Sequence, residues 1–187
     1  MIVEIGTSDF RTKAGQVDGL FIEPVKPYFD RLPDCRKENV AVSNRVGEVY
    51  VFYMLPEDIA ELKLPDWARG CNSINAPHPT VQKLLTNRVG AGAMDQYIQK
   101  SLVRVERIKN LLTKHKIKKI DYLKIDTEGH DTVILNDYLE TVDIKPKGIQ
   151  FEANQLSKSN DIAKIVTKLK NKGYSVKRYK TDLIAEL

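Results

Sequence analysis

The chain has 187 residues, 42% hydrophobic and 29% charged, which describes a globular domain with a substantial core and excludes a fibrous or low-complexity polypeptide. No apolar run approaches the ~20 residues a membrane span needs, and no basic-then-apolar leader marks a secretory signal. The net charge of +5 gathers partly in 114–119 and 164–180. It could attract nucleic acid or acidic glycans, but no aromatic residues interleave with the lysines as a base-stacking platform requires. A solvated helix face is the simpler reading.

In chain order, Val3 to Ile5 and Leu20 to Ile22 read as short buried strands with a polar turn between them. Val25, Tyr28, Phe29 and Leu32 then fall on one helix face, with Pro27 in the first turn and Pro33 as the stop. Val40 to Val42 is a third strand, and Glu48 to Tyr53 alternates like a fourth. From Met54 to about Gln99 four prolines and few periodic apolar residues suggest a loop-rich insertion, 54–99, with short helices. Loops of that length in a compact domain commonly act as lids. Val105, Ile108, Leu111 and Leu112 mark a helix leading to the strand Asp121 to Ile125. A short helix over Thr132 to Leu139 follows, then a strand from Gly148 to Phe151. Ile162, Ile165, Val166 and Leu169 give an amphipathic helix, capped by Asn160 or Asp161 and closed by Gly173. Tyr174 to Tyr179 and Leu183 to Leu187 end the chain as strands. The alternation predicts one α/β domain, 1–187, with a mostly parallel sheet covered by helices on both faces.

Polar residues collect where strands end, and ligands of open α/β sheets bind outside those carboxyl ends. After the first strand come Gly6, Thr7, Ser8 and Asp9, with Glu4 inside it. The Gly allows close backbone approach to a ligand, although no GxGxxG fingerprint is present. Glu23, before Pro24, ends the second strand, where an acid can accept hydrogen bonds from a ribose diol. The segment IDYLKIDTEGHD (Ile120 to Asp131) is the most informative. Asp126, Glu128 and His130 stand at its strand tip as candidate proton acceptors, and Glu152 ends the neighbouring strand. Asp126, Glu128 and Glu152 could together hold a divalent cation such as Mg²⁺ or Ca²⁺. In the insertion, Trp67, Asn72, Ser73 and His78 are candidate acceptor-facing residues. Cys35 and Cys71 lie far apart without a CxxC pattern. They read as free thiols in a reducing compartment and suggest a cytoplasmic protein.

The pieces VEIGTSDF, FIEPVKPYFDRL, AVSNRVGEVYVF, IKNLLTKHKIKKIDYLKIDTEGHDTVIL and GIQFEAN, in this order, resemble FkbM-type S-adenosylmethionine-dependent methyltransferases. The segment DYLKIDTEGHD is the specific one. The resemblance implies a Rossmann-like class I methyltransferase fold and methylation of a hydroxyl on a sugar, glycan or related small molecule. It implies a cofactor loop at Glu4 and Gly6, a ribose acid at Glu23, an adenine end near Ser43 and Asn44, and an acidic motif at Asp126 and Glu128 near the transferred methyl. Phe10 stands where the family loop usually has a second Gly. The chain begins almost at its first strand, which is compatible with a domain cut from a larger polypeptide. A nucleic-acid methyltransferase and a non-catalytic binding module are the competing readings. The first lacks an Asn-Pro-Pro-aromatic motif, and the intact acidic cluster opposes the second. The sequence leaves the oligomeric state open.

Overall fold

The computed structural model describes residues 1–187. In chain order the elements are β1 (Ile2–Ile5), β2 (Gly19–Ile22), α1 (Lys26–Arg31), β3 (Lys37–Glu38), β4 (Ala41–Val42), β5 (Gly47–Tyr53), α2 (Pro56–Glu61), α3 (Pro79–Val89), β6 (Gln99–Glu106), α4 (Ile108–Lys114), β7 (Tyr122–Ile125), α5 (Asp131–Thr141), β8 (Gly148–Glu152), α6 (Ser159–Asn171), β9 (Ser175–Tyr179) and β10 (Asp182–Glu186). Two 3₁₀ segments, Asp66–Gly70 and Ala91–Gln96, flank α3.

A seven-stranded sheet runs in the order β3-β2-β1-β7-β8-β10-β9. β1, β2, β3, β7 and β8 are parallel; β10 alone runs the other way, and β9, antiparallel to β10, restores the direction of the rest. Both faces are covered, which explains why GLFI is buried at every position. The main core joins Val3, Leu20, Leu123 and Ile149 from the strands to Leu111, Leu135 and Leu169 from the helices. A second, three-stranded sheet, β4-β6-β5, carries the insertion beside the first.

Several sequence expectations are corrected here. Val105 belongs to β6, not to the helix, which starts at Ile108. β6 alternates half-exposed and exposed residues and is held by its pairing with β5 along its whole length, so no strong apolar stripe announces it. The insertion is a packed subdomain. Met54, Ile59, Leu62, Ala68, Val81 and Leu85 form its own core. Pro56 and Pro79 open α2 and α3 instead of breaking helices, because a missing amide costs nothing in a first turn. The cap of α6 is Lys158, with no side-chain capping bond, and Asn160 and Asp161 lie inside the first turn.

Candidate active site

The tips of β1 and β7 meet at Gly6. Its φ of +78° is open to Gly, and an added Cβ would lie 1.8 Å from the Asp126 carbonyl oxygen. The polar residues after β1, β2, β7 and β8 therefore share one edge of the sheet. They divide into a buried end and an open cleft.

At the buried end Glu23 is only 1% exposed. One carboxylate oxygen accepts the Ser8 amide at 2.7 Å and the other accepts the Val25 amide at 2.8 Å. Burial outweighs these two bonds and pushes its pKa up to about 7. Beside it is a cavity of about 30 Å³ whose walls include Pro24, Val42, Asn72 and His130. His130 Nε2 lies 3.0 Å from Ser43 Oγ, and burial holds the imidazole pKa below its ordinary value. The insertion closes this end. Ser8 Oγ donates to the Arg69 carbonyl at 2.8 Å, and the Arg69 guanidinium pairs with Asp9. The Asn72 side-chain oxygen is buried without a partner.

The open cleft encloses about 880 Å³ on the other side of Gly6, between the insertion and the β9–β10 hairpin. Its floor is acidic. Asp126 is paired with Lys124 Nζ at 3.3 Å. Glu128 lies 3.1 Å from His78 Nε2, and its carbonyl accepts a 3.4 Å bond from Ser73 Oγ. Glu128 holds a left-handed φ of 52°. Burial, then the neighbouring charges of Glu128 and Asp126, push Glu152 up to about 9, so it carries its proton at neutral pH. Its Oε2 is buried without a partner. Behind the floor, wholly buried Asp131 accepts the Glu152 amide at 3.2 Å and the Thr127 hydroxyl at 3.0 Å. Trp67 and Cys71 form part of the insertion wall, and burial pushes the Cys71 thiol up, away from the thiolate.

The structure thus brings together Asp126, Glu128, Glu152, Trp67 and His78 around the cleft. It places His130 at the buried end instead, with Asn72. Ser73 supports Glu128 through the bond to its carbonyl. Glu4 and Thr7 face inward: Glu4 accepts from Lys124 Nζ at 3.0 Å and from Thr12 Oγ1 at 3.0 Å, and the Thr7 hydroxyl accepts the Ile22 amide at 3.1 Å. Asn44 turns away and lines a separate groove against α5 and α6. Sequence reasoning missed Arg69 and Lys124. A lysine in the midst of a buried strand was a readable signal for Lys124; nothing in the local sequence pairs Arg69 with a residue 60 positions earlier. Asp126, Glu128 and Glu152 bring carboxylate oxygens within 4.8 Å of one another, as do the ligand atoms of Cys71, His78 and Glu128, so both groupings have the spacing of a cation site.

Among solved structures, the methyltransferase FkbM of Methylobacillus flagellatus KT superposes with a TM-score of 0.52 at 15% sequence identity, covering 99% of this chain and 43% of that one. The chain spans less than half the length of that relative. A comparison with curated protein sequences finds no match. The family model described as the methyltransferase FkbM domain matches residues 5–176. With that match over nearly its whole length, and with acids at the tips of a mostly parallel sheet, the chain belongs to the FkbM methyltransferase family.

Proposed function

We propose that this domain transfers a methyl group from S-adenosylmethionine to a hydroxyl of a sugar, glycan or related small molecule. The observation that carries the reading is the acidic floor of Asp126, Glu128 and Glu152, which opens onto a cleft that also reaches the Gly6–Ser8 loop. The donor set at the buried end fits the cofactor. Glu23 has lone pairs left for a ribose diol, Val40, Ala41 and Val42 offer an apolar wall, and the Asn72 oxygen lacks a donor. The cavity of about 30 Å³ is far below the ~300–1,000 Å³ of ligand pockets, so the Arg69–Asn72 segment must move for the adenosyl group to enter.

When bound, the cofactor supplies an electrophilic methyl on a sulfonium. The protein aligns the acceptor oxygen behind that carbon and removes the hydroxyl proton. Alignment can contribute ~7–11 kcal/mol and a positioned base about 10²–10⁴-fold in rate. The exposed face of Trp67 suits a sugar ring. Asp126, Glu128 and Glu152 could also hold a divalent cation that orients the acceptor oxygen. The basic run from Lys114 to Lys119 precedes β7, at the opposite end of the sheet from the cleft, which disfavours a nucleic-acid acceptor.

Titration calorimetry with S-adenosylhomocysteine, followed by mass spectrometry of a methyl-glycoside panel incubated with S-adenosylmethionine, tests the proposal. Binding and one added methyl on a hydroxyl support it. Absence of any affinity for S-adenosylhomocysteine would sink it. Turnover that collapses in chelator and returns with Mg²⁺ assigns the cation, and turnover indifferent to chelator removes it.

A further inference from the structure

His78 stands at the start of α3, where its ring does two things at once. Its Nδ1 accepts the backbone amide of Thr80 at 3.1 Å and so caps the helix. A nitrogen that accepts an amide proton carries none of its own, so the ring proton of the neutral imidazole sits on Nε2. That nitrogen lies 3.1 Å from Glu128 Oε2. The cap therefore fixes His78 as a donor to Glu128. With its lone pair on Nδ1 engaged and its proton on Nε2, His78 has no site left to accept a proton from an acceptor hydroxyl. Nor can Nε2 ligate a cation while α3 stays capped, which removes the Cys71–His78–Glu128 grouping as a metal site.

From this geometry we infer that Glu128 is the proton acceptor of the methyl transfer and that His78 is its positioning residue. The inference deepens the O-methyltransferase reading above and rests on it. The other candidate proton acceptors are differently engaged: Asp126 faces Lys124 at 3.3 Å, and His130 lies at the cofactor end against Ser43. Two insertion residues, His78 on the carboxylate and Ser73 on the carbonyl, hold Glu128 in its left-handed backbone. The insertion thus completes the base as well as walling the acceptor cleft. In the reaction the hydroxyl oxygen forms the O–CH₃ bond, and the C–S bond breaks with its electron pair going to sulfur. The hydroxyl proton passes to the Glu128 carboxylate, and His78 keeps its own proton throughout.

Two substitutions separate the two bonds of His78. His78→Asn keeps a strong helix cap but is too short to reach Glu128. His78→Gln reaches Glu128 with an amide N–H but caps poorly. On the methyl-glycoside panel, His78→Asn should keep the parental melting temperature and S-adenosylhomocysteine affinity yet lose about 10–100-fold in kcat with little change in KM, the loss that one bond to a charged group gives. His78→Gln should recover most of that turnover while melting lower. A His78→Asn variant with parental kcat would show that the residue only caps α3. Long-range ¹H–¹⁵N spectra of histidine-labelled protein need no acceptor. The Nε2–H tautomer at His78, perturbed by Glu128→Gln, is expected, and an Nδ1–H tautomer overturns the assignment. If no glycoside is methylated, the O-methyltransferase reading fails on its own, and the spectra still decide the state of His78.

Discussion

The two ends of the site differ in room and in how their acids are placed: about 30 Å³ beside a lone, doubly bonded Glu23, against about 880 Å³ over three clustered acids. At the buried end both Glu23 oxygens and the Ser8 amide and hydroxyl find protein partners, whereas Asp9 Oδ1, Arg69 Nε and the Asn72 oxygen are buried with none. In the cleft, Glu152 Oε2 has none, and Asp126 and Glu128 each answer to a single cation or donor beside a third acid. The closed end has the makings of a binding site that must open. The open end suits proton transfer, because acids crowded together with little compensation hold protons unequally.

The sharpest test of that contrast is Glu128→Gln. It should lower turnover about 10²–10⁴-fold while leaving S-adenosylhomocysteine affinity near the parental value. Equal damage to both would merge the two ends. Glu23→Ala should do the reverse, weakening S-adenosylhomocysteine binding by about tenfold or more in calorimetry, since a bond to a charged group is worth about 1.5–3 kcal/mol. Unchanged affinity with a lower melting temperature would leave Glu23 only its role in holding Ser8 and Val25.

Arg69→Ala removes the latch between the insertion and Asp9. Stopped-flow association of S-adenosylhomocysteine should quicken by up to about five-fold, the factor that ~1 kcal/mol of ion pair gives. An unaltered rate would mean that the buried end opens by another route.

The smallest effect concerns pH. Glu152 binds its proton more tightly folded than unfolded, so its contribution to stability is fully present below its ordinary 4.5 and is lost as pH rises to about 9. Glu23 and Asp131, both pushed to about 7 by burial, act in the same direction over a narrower window. The unliganded protein should therefore melt lower at pH 8.5 than at pH 5.5. Glu152→Gln should flatten that slope and raise the melting temperature at pH 8.5 by about 2–4 °C, the shift of ~1 kcal/mol in a domain of this size. A steeper slope in the variant would contradict the burial of Glu152.

Much of this was legible in the sequence. Strands buried on both faces, such as GLFI, announce themselves by composition, and the acids at Glu23, Asp126 and Glu152 stand at real strand ends. What escaped were features fixed by partners distant in sequence. β6 owes its form to β5 rather than to an apolar stripe. The closure of the buried end depends on Arg69 meeting Ser8 and Asp9 some 60 residues away, and local pattern carries no trace of it. His130 lies apart from Glu128 for a geometric reason. It follows the acidic motif directly, yet the turn through Glu128 and Gly129, both at positive φ, sends it to the side opposite Glu128.

The left-handed backbone at Glu128 has a consequence for how this domain would respond to selection. A side chain at that φ is strained, whereas glycine is at ease there, and the carboxylate adds repulsion against Asp126. Glu128→Gly should therefore melt higher than the parent while being inactive. Any laboratory lineage chosen only for heat resistance would be drawn to discard this residue early, and catalytic competence would have to be scored alongside endurance to keep it.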